Sequence, residues 1–281
     1  MIVKDITNLI EELAPLAYAE DFDNVGLLVG DDQAQVSGVL VTLDTLENVV
    51  DEAIAKNCNL IVSFHPIIFN GLKKITGANY VQRVVLKALQ NNISIYSMHT
   101  ALDNSKYGVN AKIGEVLGLT NSKILIPQKG SIKKLSTYVP KAAAEKLKEA
   151  LFAAGAGNIG QYSHCSFSVE GTGSFKAGEN SNPTLGEIGK IHFEEECQIH
   201  ITFEKAFESQ IIKALHNHHP YEEVAYEVHT LENYNQNIGI GLIGSLEKEM
   251  NEATFLAFVK EKMNASCIRH SKFLNKPIKK V

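Results

Sequence analysis

Two stretches of this chain join apolar runs to side chains able to hold a metal ion. One is Ile61-Val62-Ser63-Phe64-His65-Pro66-Ile67-Ile68-Phe69, the other Met98-His99-Thr100-Ala101-Leu102-Asp103-Asn104. Leu60-Ile61-Val62 reads as a short buried strand with His65 just past its end, and residues 93–98 as a second, with His99 and Asp103 at its exit. Open α/β sheets bind ligands outside the carboxyl ends of their strands. Imidazole and carboxylate delivered to one edge are what metal-assisted hydrolysis requires.

His65 and Asp103 are the candidate metal ligands. The alternative for His65 is a structural histidine donating to a backbone carbonyl. For Asp103 it is a helix cap or a closed turn. His99 reads as a third ligand, an orienter of Asp103, or plain structure. A competing cluster is His216, His218, His219, Glu222 and Glu223. Adjacent histidines with carboxylates three and four residues on could bind zinc or nickel, although a solvated turn is the simpler account.

The elements that must position these residues alternate. Residues 3–13 read as a helix with Ile6, Leu9, Ile10 and Leu13 on one face, ending before Pro15. The acidic loop Glu20-Asp21-Phe22-Asp23-Asn24 leads into a Gly-flanked strand and reads as a solvated turn. Strands over 36–43, 58–64 and 93–98 alternate with helices over 47–56, 81–90 and 110–117. That is the pitch of βαβ units and predicts an α/β core with a mixed or mostly parallel sheet. Residues 126–130 look like a linker. Beyond them the order becomes β-α-β-β-α-β, a ferredoxin-like α+β arrangement inserted in the core. The predicted domains are the first half of the core over 1–127, the insert over 131–232, and the start of the second half over 238–281. Residues 233–237 read as a polar return linker. Residues 266–269 read as a short strand and 276–281 as the lead-in to another. The turn Gly155-Ala156-Gly157-Asn158-Ile159-Gly160 lacks the Gly-Lys-Ser/Thr ending of a phosphate loop.

Composition narrows the function. With 281 residues, 44% hydrophobic and 21% charged, this is an ordinary globular chain of about two domains. A net charge of -5 gives no footprint for nucleic acid. No apolar run reaches the roughly 18 residues of a membrane span, and residues 1–5 show no leader pattern, so a cytoplasmic location is expected. Cys58, Cys165, Cys197 and Cys267 form no CxxC pair and read as packed thiols.

Several motifs in order give the chain a resemblance to the GTP cyclohydrolase I type 2 homologue family, the Nif-three-like dinuclear-metal proteins. Residues 23–30 are similar to its N-terminal signature, 63–69 to its His-His-Pro segment, and His99-Thr100-Ala101-Leu102-Asp103 to its His-Thr-x-Leu-Asp segment. The insert matches through Gly171-Thr172-Gly173-Ser174-Phe175 and His219-Pro220-Tyr221-Glu222-Glu223-Val224-Ala225-Tyr226. The resemblance implies two divalent ions (Zn, Fe, Mn or Ni) held in part by His65 and Asp103, and a ring-shaped homohexamer. It also implies a metal-activated water that opens the guanine ring of GTP. Lys73 and Lys74 are candidates for the triphosphate, with a solvated loop as the alternative. Phe64 stands where the family has its first histidine. The family's C-terminal His and Glu have no counterpart, and His270 lacks their surroundings, so the chain reads as a fragment of a longer one. The alternative function is a non-catalytic metal-binding assembly or regulatory protein whose insert senses a ligand. The insert's likeness to small trimeric signalling and metal-tolerance proteins favours that view.

Overall fold

The computed structural model describes all residues, Met1–Val281. Its contacts divide the chain into two compact units, Met1–Pro127 with Gln236–Val281, and Gln128–Asn235.

In the first unit, strands β1 (Gly26–Val29), β2 (Val39–Thr42), β3 (Leu60–Ser63) and β4 (Ser94–Ser97) form a sheet in the order β1-β4-β3-β2. β2, β3 and β4 run parallel, and β1 closes the far edge antiparallel to β4, with Gly26 opposite Ser97. β3 and β4 are buried throughout, as central strands covered on both faces must be. Their side chains alternate between two cores. Ile61 and Ile95 point to the helices α2 (Glu47–Ala55) and α3 (Tyr80–Gln90), meeting Val50, Ala53, Val84 and Val85. Leu60, Val62 and Tyr96 point the other way, onto Val3, Ile6 and Ile10 of α1 (Val3–Leu13). α3 starts where Asn79 accepts the N–H of Gln82, a side-chain cap.

The rest of this unit comprises α4 (His99–Asn104), α5 (Val109–Val116), β5 (Thr120–Gln128), β10 (Asn235–Met250), α8 (Glu252–Lys262) and β11 (Ile278–Lys280), with a sheet β11-β10-β5. Three expectations fail here, the first being that residues 235–237, read as part of a polar linker, already belong to β10. Residues 126–128 end a strand rather than open a linker. β5 is an edge strand, where Pro127 gives up an N–H at little cost. Residues 266–269 hold no strand, because Cys267 and Ile268 alone offer too short an apolar run to define a face.

The second unit runs β6 (Ile132–Pro140), α6 (Ala144–Ala153), β7 (Ser166–Lys176), β8 (Ile191–Glu204), α7 (Glu208–His218) and β9 (Tyr226–Leu231). Its fully antiparallel sheet has the order β7-β8-β6-β9, the split β-α-β arrangement. Cys197, Ile199, Ile201 and Phe203 alternate inward along β8 and meet Leu147 and Leu151 of α6 and Ile211 and Leu215 of α7. No helix in the protein is long and apolar enough to cross a membrane.

Candidate metal centre

β3 and β4 bring their exits together because they are parallel and in register, Ser63 beside Ser97. Backbone hydrogen bonds carry the pairing past the strand ends. Met98 N donates to Ser63 O (3.1 Å), His99 N to Phe64 O (3.0 Å) and His65 N to Leu43 O (3.0 Å). Ser97 Oγ also donates to Phe64 O at 2.8 Å. The rings of His65 and His99 consequently lie 5.6 Å apart, centroid to centroid. His99 opens α4, and Asp103 stands four residues on, so the two share one helix face. Asp103 is held from behind by Asn110, whose Nδ2 donates to the Asp103 carbonyl at 3.1 Å. His99 has φ +26°, outside the regions a side-chain-bearing residue favours. Such strain costs about 1–3 kcal/mol and collects at functional sites.

Each imidazole is clamped by a carboxylate through its Nδ1. His65 Nδ1 lies 2.7 Å from Asp44 Oδ1, and His99 Nδ1 lies 2.8 Å from Asp23 Oδ1. A carboxylate only accepts, so Nδ1 carries the proton in both rings, and both Nε2 lone pairs are left for another partner. The two clamps differ in setting. Asp44 and His65 are about half exposed, whereas the Asp23 side chain is fully buried. Burial pulls the Asp23 carboxyl upward, but hydrogen bonds from the Thr100 hydroxyl, His99 and the backbone N–H groups of Asn24 and Thr100 outweigh it. The net effect holds Asp23 below its ordinary value. Asp103 goes the other way. Burial pushes it up, with His99 pulling it back, Asp23 adding to the rise and His65 lowering it again, for a net increase. These mutual influences place His65, His99, Asp23 and Asp103 in one electrostatic neighbourhood.

Donor types and tautomers fit a divalent ion, since metal-bound histidines commonly give their second nitrogen to a carboxylate. His65, His99 and Asp103 are the residues that would hold one. As they lie, no three histidine, cysteine, aspartate or glutamate side chains gather closely enough to share an ion. Phe64 fills the space beside them, its ring 5.0 Å from that of His65 and 5.5 Å from that of His99.

The same arrangement of chain recurs in known proteins. The family model for Duf34/NIF3 (NGG1p interacting factor 3) matches residues 1–281. The chain belongs to this family. A Bacillus subtilis protein named GTP cyclohydrolase 1 type 2 homolog is 40% identical over 279 residues, 99% of this chain and 75% of that one. A Halalkalibacterium halodurans protein of the same name is 36% identical over 277 residues, 98% of this chain and 74% of that one. The crystal structure of a Bacillus cereus protein related to NIF3 superposes with a TM-score of 0.83 at 38% identity, covering 100% of this chain and 75% of its own.

Within this Duf34/NIF3 chain, sequence reading missed Asp23 and Asp44 as partners of the two histidines. Asp23 sits in what looked like a solvated turn. The signal that could have found it is the run Asp23-Asn24-Val25-Gly26, whose Asn24 Nδ2 donates to Ile68 O beyond His65 and ties the turn to the site. His99 is joined to Asp23 rather than to Asp103. Lys73 and Lys74 are exposed on the loop that follows His65. The competing cluster forms no metal group: His218 Nδ1 pairs with Ala214 O, His219 Nε2 with Tyr138 O, and the His216 ring meets that of Tyr226. The four cysteines are free and dispersed.

Proposed function

We propose that this Duf34/NIF3 chain binds divalent metal through His65, His99 and Asp103, and acts as a metal-dependent hydrolase that opens the guanine ring of GTP. The observation that carries the reading is the pair of imidazoles 5.6 Å apart, each with Nδ1 fixed by a carboxylate and Nε2 free. Bound there, a divalent ion supplies Lewis acidity and lowers the pKa of a coordinated water to about 7. The chain's own groups do the rest. Asp23 and Asp44 hold the rings in one tautomer. Asp103 adds a carboxylate oxygen to the two imidazole nitrogens as the third donor. Lys73 and Lys74 offer cations for a triphosphate. Two further parts of the proposal, a second ion and a ring-shaped homo-oligomer, rest on the motif resemblance, and the ring is open to sedimentation analysis.

A second reading, a non-catalytic metal-binding regulatory protein, is favoured by the open donor set around Phe64. GTP turnover with added Zn, Fe, Mn or Ni, together with metal content per chain, separates the two. Metal-dependent loss of GTP that Asp103→Ala abolishes supports the hydrolase. Metal binding that Asp103→Ala weakens, without product, supports the regulatory reading. Absence of both binding and turnover overturns each.

A further inference from the structure

We infer that the second unit binds a small organic cation with a flat apolar body, between the rings of Tyr138, Phe175 and Tyr221 and the carboxylates of Glu196, Glu222 and Glu223. These residues line a cavity of about 350 Å³. Small-molecule sites typically measure about 300–1,000 Å³ and combine apolar walls with a few placed polar groups. The proposal uses none of the residues of the metal centre and stands without it.

Two motifs that the metal centre leaves unused converge here. Gly171-Thr172-Gly173-Ser174-Phe175 comes along β7, and His219-Pro220-Tyr221-Glu222-Glu223 forms the turn between α7 and β9. Their meeting is specific. Tyr221 donates its hydroxyl to Glu196 Oε1 at 2.9 Å, and its ring stands edge-on to Phe175 at 5.9 Å. The Glu196 carboxyl lies where a Cβ at position 173 would be, so only glycine leaves it that place. Glu222 Oε2 accepts the backbone N–H of Asn182 at 2.8 Å, and Thr184 donates to Pro220 O at 2.8 Å, which ties the 178–184 loop to the same wall.

The charge is one-sided. No lysine, arginine or histidine lines the cavity. Nearby basic side chains are engaged elsewhere, Lys141 with Glu170 and His192 with Glu194. Burial and then Glu196 push the Tyr221 phenol well above its ordinary range, so it stays a donor. An ammonium or amidinium gains from the aromatic faces and from the carboxylates together. A phosphate group would meet three carboxylates and no cation.

Benzamidine and its neutral isostere benzamide test this on the full chain by titration calorimetry, with EDTA present to exclude metal. Saturable millimolar or tighter binding of benzamidine is expected, with benzamide at least about tenfold weaker. Glu196→Gln, which keeps an acceptor for Tyr221, should weaken benzamidine by about tenfold with the circular dichroism spectrum unchanged. Glu223→Gln, at an exposed position, serves the same comparison should Glu196→Gln misfold. Equal binding of the two probes, no saturable binding of benzamidine, or affinity unchanged in the folded variants overturns the inference.

Discussion

His99 Nδ1 lies 2.8 Å from Asp23 Oδ1 although 76 positions separate the two residues in the chain. Asp23 thereby fixes which nitrogen of His99 is free, and through Thr100 it fixes the first turn of α4. Asp23→Asn keeps the shape but weakens the acceptor and permits the wrong tautomer. Divalent metal affinity should fall by about 10–100-fold, the usual cost of losing such a support. Zinc or manganese titration of wild type and variant, with the fold checked by circular dichroism, measures it. Equal affinities would mean that His99 does not bind metal.

Phe64 is the residue that keeps the donor set open. Its ring sits within 5.0 Å of His65 and 5.5 Å of His99, so an imidazole in its place would stand beside both. Phe64→His should tighten zinc binding by about tenfold or more, a gain of at least about 1.4 kcal/mol. Competition with a chelating dye reports it. Unchanged affinity would place position 64 out of reach of the ion.

The strands and helices around this site were legible because their apolar periods are clean. Residues 60–62 are a short apolar run, residues 93–98 are apolar but for two serines, and α1 repeats its apolar face at helical spacing. The pairing of Asp23 with His99 was not legible. It depends on β1 joining β4 antiparallel, a tertiary event that leaves no local trace. β5 was hidden for a different reason. Pro127 and Gly130 speak for a turn, while what makes residues 120–128 a strand is β10, more than a hundred residues later. His65 and Asp103 could be singled out by residue type and position. The carboxylate behind each histidine could not, since acidic residues in turns are common and only geometry sets these two apart.

Gly108 guards the position of Asp103. A Cβ there would run into the carbonyl oxygen of Leu102 and come within 3.2 Å of Ser105 O, at the end of the helix that carries Asp103. Backbone cannot yield as a flexible side chain does. Gly108→Ala should cost about 1–3 kcal/mol of stability as overpacking and lower metal affinity with it. Gly71→Ala, with nothing near its Cβ, should change neither. Urea unfolding and metal titration of both variants form the comparison. A Gly108→Ala protein with wild-type stability and affinity would show that α4 shifts freely.

His219 should make the second unit sensitive to mild acid. Its Nε2 lies 2.9 Å from the Tyr138 carbonyl and its Nδ1 accepts the N–H of Tyr221 at 3.1 Å, an arrangement that only the neutral ring satisfies. Burial lowers its pKa, with the Tyr138 carbonyl and Glu196 opposing and His216 assisting. Burial and then Lys134 lower His200 as well. The unfolded chain therefore binds more protons than the folded one between the depressed folded values and about 6.5. Stability is complete above that upper limit and declines as pH falls through the window, by at most about 1.4 kcal/mol per pH unit for each proton. Urea unfolding followed by circular dichroism from about pH 5 to about pH 8 should show this decline, and His219→Gln should flatten it. The same slope in wild type and variant would assign the acid sensitivity to His200 or to the other unit.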